Sequence, residues 1–265
     1  MVSNQSIAFM FVSALLAVLV PVGCLICLTV KKKMSWKPFA IGILIYIVFS
    51  QVLGSLFTVY WLSFNSRTSG VLQGNPYLYS LYGGLSAAVF EESGRFLGFY
   101  FLLKTYREWK DGLSYGLGHG GVEAVLIGGF AGIQNIGTSL MINSGAFDQL
   151  LNSAGANASS LEPVREQLIN TASYLHLAVG IERVTAFIIQ IALSLLILYG
   201  IKRKQAFLFV LYAMAIHALV NAVPLLLKEL GFSLYLFEGI IVFAAIGCFV
   251  FIRKSKRLFQ EGRVA

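Results

Sequence analysis

Four groups of ionisable side chains interrupt apolar stretches of this chain: Glu91-Glu92-Ser93-Gly94-Arg95, His119-Gly120-Gly121-Val122-Glu123, Glu182-Arg183 and His217-Ala218-Leu219-Val220-Asn221. An ionisable residue at bilayer depth costs at least about 2.5–3.5 kcal/mol, so four such groups point to a buried polar site. Two imidazoles and several carboxylates on facing helices make a ligand set for zinc with a position left open. His119, Glu123 and His217 would supply two nitrogens and a carboxylate, leaving Glu91 or Glu92 free to take a proton from bound water. Such a metal brings the pKa of its water towards about 7. Asn221 can donate to a developing oxyanion, and Arg95 can hold a carboxylate ionised in low dielectric. The set suffices to hydrolyse an amide inside the membrane. Glu and His can also activate water without metal, so both accounts stand at this point.

Spacing supports a common site. Glu91 and Arg95, His119 and Glu123, and His217 and Asn221 are each separated by four residues, so each pair projects from one helix face. Glu91 and Glu92 lie about 100° apart, so one can face the site while the other pairs with Arg95 or Arg183. Counted at about 1.5 Å per residue, Glu91, Glu123 and His217 fall roughly 17–18 Å into their spans. They share a layer near the midplane of a core about 30 Å thick. Gly112, Gly116 and Gly120 recur every fourth residue, which lets another helix approach closely. Plainer roles compete: Glu182 and Arg183 can neutralise each other, and His119 can be a packing histidine.

The elements that must position these residues are membrane-spanning helices. Of 265 residues, 57% are hydrophobic and 12% charged, against about 25% charged in soluble domains. The expected fold is an all-α, polytopic membrane bundle forming a single domain over 1–265, with its polar core at 91–221. Seven spans are predicted, at roughly 7–30, 38–62, 79–103, 112–140, 174–200, 206–227 and 232–252. The net charge of +8 lies in short blocks between them, a pattern of membrane flanks that gives no support to nucleic-acid binding. Lys31, Lys32, Lys33, Lys37, Lys104, Arg107, Lys110, Lys202, Lys204 and Arg203, with Arg253, Lys254, Lys256, Arg257 and Arg263, fall on one side; Arg67, Arg165 and Lys228 fall on the other. This asymmetry predicts an external N-terminus and a cytoplasmic C-terminus. Residues 63–78 read as a turn-rich connector. Residues 141–173 read as the longest loop, with a short interfacial helix over 161–171. Cys24, Cys27 and Cys248 lie in apolar spans and read as packing residues.

The ordered motifs Glu91-Glu92-x-x-Arg95, Gly118-His119-Gly120-Gly121-x-Glu123-Ala124, Glu182-Arg183 and His217-x-x-x-Asn221 resemble those of the YhfC-type intramembrane metalloproteases. Those proteins are similar to the PrsW proteases and to the CAAX prenyl and bacteriocin-processing endopeptidases. The resemblance implies a peptidase of the prokaryotic plasma membrane acting on a membrane protein or peptide. It implies that the double glutamate activates water, with Glu91 as the base. It also implies the second motif at Glu123, with His217 and Asn221 stabilising an oxyanion or holding metal. Arg95, Glu182 and Arg183 would be supporting residues. His119 stands where the wider group carries Phe, and position 123 holds Glu rather than His. The alternative is a proton-coupled transporter, or a protease-like membrane protein without activity, since buried carboxylates and histidines also build proton relays.

Overall fold

The computed structural model describes residues 1–155 and 158–260, which form helices and connectors with no strand among them. Ten helices follow one another: α1 Asn4–Val30, α2 Trp36–Phe64, α3 Ser66–Gln73, α4 Pro76–Leu97, α5 Trp109–Ser144, α6 Ala146–Ala154, α7 Ala158–Asn170, α8 Ser173–Lys202, α9 Ala206–Glu229 and α10 Leu234–Gln260. Three of them contain or continue into π-helical stretches: Tyr46–Gly54 and Tyr60–Phe64 in α2, Gly98–Leu102 after α4, and Ala124–Phe130 in α5. By length and composition α1, α2, α5, α8 and α9 can cross a membrane. The chain is an all-α polytopic membrane protein. The other two expected spans, at 79–103 and 232–252, are also helical, within α4 with its π-helical continuation and within α10.

The connectors hold more helix than expected. Within 63–78 lies α3, whose N-cap Asn65 accepts from Thr68 N at 3.1 Å. Asn75 then caps α4, accepting from Tyr77 N and Leu78 N at 3.1 Å each, with Pro76 in the first turn where its missing N–H costs nothing. The stretch 141–173 is mostly helical rather than loop. Gly145, at φ 79°, ends α5 in the left-handed region and starts α6 directly. The helix expected over 161–171 begins earlier, at Ala158.

The described chain divides into two compact units. One comprises Met1–Gly23 and Glu123–Val184. Its apolar core joins Val2, Met10, Ile142, Phe147 and Leu168, and Asn143 exchanges two hydrogen bonds with the Val2 backbone at 2.7 and 2.8 Å. Arg165 pairs with Asp148 at 2.9 Å and so links α7 to α6.

The other unit comprises Cys24–Val122 and the described residues from Thr185 onward. Here the buried face of α8 carries Phe187, Ile191, Leu195 and Leu198. Small residues set the packing. A Cβ at Gly112, Gly116 or Gly120 would lie 2.9, 2.6 or 2.8 Å from Leu195, Ile191 or Gln190 respectively, so the glycine row of α5 seats α8. Gly84 of α4 meets Ala222 of α9 in the same way, with an added Cβ 2.7 Å from the Ala222 Cβ.

Candidate functional site

The second unit gathers five of the ionisable residues singled out from the sequence. Helix α4 supplies Glu91, Glu92 and Arg95, α5 supplies His119, and α9 supplies His217; all are buried. The two neighbouring carboxylates take different partners. Glu91 Oε2 lies 3.1 Å from His119 Nε2 and accepts from Gln190 Nε2 at 2.9 Å, while its Oε1 accepts from Ser50 Oγ at 3.1 Å. Glu92 Oε1 lies 2.7 Å from His217 Nδ1, and its Oε2 lies 3.2 Å from Arg95 Nε. An ionised Glu92 requires the proton on Nδ1, which leaves the lone pair of His217 on Nε2.

Arg95 is the hub. Its Nη1 donates to the Gln190 carbonyl at 2.7 Å and to Ser194 Oγ at 2.9 Å. Nη2 donates to Gln190 Oε1 and approaches His119 Nε2 at 3.2 Å. Ser194 returns a bond to the Gln190 carbonyl at 2.8 Å. The fork geometry of a guanidinium suits this buried multiple engagement.

His119 Nε2 therefore faces both an arginine N–H and a carboxylate oxygen. One ring nitrogen offers either a hydrogen or a lone pair, never both. If Nε2 carries no hydrogen, its single lone pair and Glu91 Oε2 stand 3.1 Å apart, and a cation or proton shared by the two would take the place of the Arg95 contact. Two ligands at about 2.0–2.1 Å from a tetrahedral zinc lie about 3.3 Å apart. The donor set is thus compatible with a metal ion. The ring itself is fixed by Tyr46, edge-on at 5.1 Å, and by Tyr115, stacked at 6.1 Å.

Asn221 lies one turn beyond His217 on α9, half-buried, with no side-chain hydrogen bond among the described residues. Glu123, Glu182 and Arg183 belong to the first unit. There Arg183 lies 3.8 Å from Glu123 Oε1 and 3.9 Å from Glu182 Oε2, long contacts for ion pairs. Gly128 makes room for this arginine, since a Cβ there would come 2.7 Å from Arg183 Cγ. Glu123 also ends the α-helical part of α5, one turn beyond His119 and next to the π-helical stretch Ala124–Phe130.

A family model described as YhfC intramembrane metalloprotease matches residues 16–257. The chain belongs to that family. It is also 41% identical to the "Uncharacterized membrane protein YhfC" of Bacillus subtilis (strain 168), over 98% of this chain and all of the relative. No solved structure matches. Membership in the YhfC family, together with the apolar helices, assigns a multi-pass location in a bacterial membrane. The family's name suggests a metal-dependent peptidase.

Sequence reasoning missed three residues of this polar group: Ser50, Gln190 and Ser194. Gln190 and Ser194 are four apart in an apolar run, the spacing that marked the other pairs, so the signal was present. Ser50 lies in the π-helical stretch of α2, whose hydrogen-bond shift leaves no mark in composition.

Proposed function

We propose that the chain is an intramembrane peptidase that hydrolyses a peptide bond of a membrane-associated protein or peptide at the group built on Glu91, Glu92, Arg95, His119 and His217. The observation that carries this reading is the division of labour between adjacent carboxylates. Glu91 stands beside His119 and an amide donor, while Glu92 orients His217 and is paired with Arg95. With both carboxylates ionised and both imidazoles neutral, the group holds one excess negative charge. Buried without a counter-charge such a group is costly, so it favours a proton or metal cation.

In the metal-dependent form, Glu91 and His119 would hold the ion, with Glu123, one turn beyond His119 on the same helix, as a further candidate ligand. Bound there, such an ion would supply a water of lowered pKa. His217, fixed by Glu92 with its Nε2 lone pair free of the Nδ1 proton, takes the proton and returns it to the leaving amine. This assigns His217 to proton transfer rather than to the ligand set, because its ring attaches to the carboxylate already committed to Arg95. In the metal-free form Glu91 itself is the base. Asn221 supplies an oxyanion donor in either case, and Glu182 acts with Arg183 to hold Glu123.

Access to the site supports a peptide substrate. A cavity of about 460 Å³ runs along α2 and α4, lined by Ser50, Gln51, Thr58, Tyr82, Ser86 and Phe90. Ser50 both lines it and donates to Glu91. A peptide unwound for cleavage must satisfy its backbone amides without water, and these hydroxyls and the amide provide partners.

The test uses purified full-length protein and an accumulating membrane substrate, found by comparing membrane proteomes of cells carrying parent or Glu91→Gln protein. Glu91→Gln and His217→Ala should fold yet lose cleavage by at least about 100-fold. Full cleavage by Glu91→Gln, Glu123→Gln and His217→Ala alike would sink the assignment. A proton-coupled transporter is the second reading, favoured by two buried carboxylate–imidazole pairs, Glu91–His119 and Glu92–His217. Glu91-dependent flux in proteoliposomes without cleavage would select it.

A further inference from the structure

A second polar cavity, of about 440 Å³, opens at one end of the second unit, away from the site just described. Among the described residues its lining includes Lys33, Arg107, Lys110, Lys202 and Lys256, with Glu108 as the one acid. Glu108 is already paired with Lys110 at 3.1 Å. The cavity therefore carries a formal excess of four positive charges, counted as five cations less one carboxylate.

Its walls are fixed by bonds between different helices and connectors. Trp109, the first residue of α5, donates from Nε1 to Ser255 Oγ of α10 at 3.0 Å. Lys202, the last residue of α8, donates to the Phe259 carbonyl of α10 and sits over the Phe259 ring at 5.5 Å. Arg107 donates to the Leu103 and Tyr106 carbonyls, anchoring the connector before α5. Burial lowers the tendency of this guanidinium to stay charged, and nearby Asp111 opposes that shift. Lys33 and Lys256 are exposed at the mouth.

Position decides the occupant. Lys33 lies three residues beyond the end of α1, Trp109 opens α5, and Lys202 closes α8, and all three helices are long and apolar enough to span a bilayer. The cavity thus sits where three spans meet the headgroup layer, with Trp109 and Phe259 among its lining as interfacial aromatics. Basic pockets at such boundaries suit phosphate-bearing headgroups, and juxtamembrane lysines are attracted to anionic lipid by about 1 kcal/mol each.

We propose that this cavity binds the headgroup of an anionic glycerophospholipid, with Lys33 and Lys256 closing on its phosphate and Lys202 and Arg107 supplying the fixed wall. None of these residues belongs to the proposed peptidase site, so the inference stands apart from that reading.

The experiment is native mass spectrometry of the detergent-solubilised full chain, titrated with phosphatidylglycerol or phosphatidylcholine, with binding repeated in millimolar inorganic phosphate. Lys33→Gln/Lys256→Gln is compared with Lys254→Gln/Arg257→Gln, which removes equal charge from outside the lining. Phosphatidylglycerol should be retained in preference to phosphatidylcholine. The first variant should weaken it about 10- to 30-fold, while the second changes it less than about twofold. Equal retention of the two lipids, equal effects of the two variants, or no loss in the first would overturn the proposal. Displacement of the lipid by inorganic phosphate would overturn its lipid source and assign the cavity to a soluble phosphate. Unchanged thermal melting of both variants confirms that any loss is at the site.

Discussion

At the scale of single residues, Arg95 decides whether the polar group can exist at all. It is fully buried and touches Glu92, Gln190, Ser194 and His119. Removing one partner of a buried pair leaves an uncompensated charge, at about 3–5 kcal/mol. Arg95→Ala should therefore lose the folded state, seen as a collapse of the thermal melt or of membrane expression. Arg95→Lys keeps the charge but not the fork, so it should fold partly and melt lower. Gln190→Leu removes a donor to Glu91 and an acceptor for Arg95, and should cost about 1–3 kcal/mol. His119→Ala addresses the metal directly. In the metal-dependent form the parent protein contains near-stoichiometric metal by elemental analysis and the variant loses it together with cleavage. Parent protein that cleaves at full rate in chelator would leave His119 as an orienting residue only.

At the scale of elements, close helix approach brings the site's parts together. The contact between α5 and α8 depends on the row Gly112, Gly116 and Gly120. Gly116→Val would drive a side chain into the Ile191 backbone and Ser194. Overpacking of this kind costs about 1–3 kcal/mol, and here it also pushes Gln190 away from Arg95. The expected result is a lower melting temperature with a larger fall in activity than in stability. Much of this was legible in the sequence: the glycine row announced a close partner, and the charged groups announced a buried site. The identity of the partner, α8, was not, because the row says only that some helix approaches. The pairing of Glu92 with Arg95 at three residues' spacing, rather than Glu91 at four, was also hidden, since both spacings lie on one helix face. Ser50 and Ser194 escaped notice because isolated hydroxyls are ordinary in apolar helices, while charges are not.

At the scale of the whole molecule, the number of helices that cross the bilayer depends on α4 and α10. Within α4 lie Glu91, Glu92 and Arg95; Arg95 offsets the charge of Glu92, and burial hides all three from lipid. We propose seven crossings with an external N-terminus: the pairing and burial would let α4 cross despite its charge count, and the basic residues are unequally distributed. A reporter fused after residue 33 should then behave as cytoplasmic, and one inserted near residue 155 as external. Swapped signals would refute the topology. Composition made the membrane class plain at first sight, because 12% charge cannot cover a water-facing surface. Helix α6 reads as loop in the sequence because its stretch holds Asn, Ser and Gly, residues that serve as well for caps and short helices as for turns, whereas α7 covers the helix expected over 161–171.

The wide turn Tyr46–Gly54 has a bearing on how this sequence tolerates changes in length. Within it Gln51 donates to the Tyr46 hydroxyl at 2.8 Å, five positions back, as the wider winding places it. Such a turn holds one residue more than an α-helix would over the same rise. Excising one residue there lets the winding relax to α while the faces on either side keep their phase. The same excision in the regular α9 would turn everything beyond it by about 100°. A single-codon deletion at Phe49 should thus be compatible with membrane insertion and folding, whereas one at Ile216 should not. The Phe49 deletion would still be inactive, because Ser50 would no longer reach Glu91. Length, normally the least forgiving property of a spanning helix, has slack there.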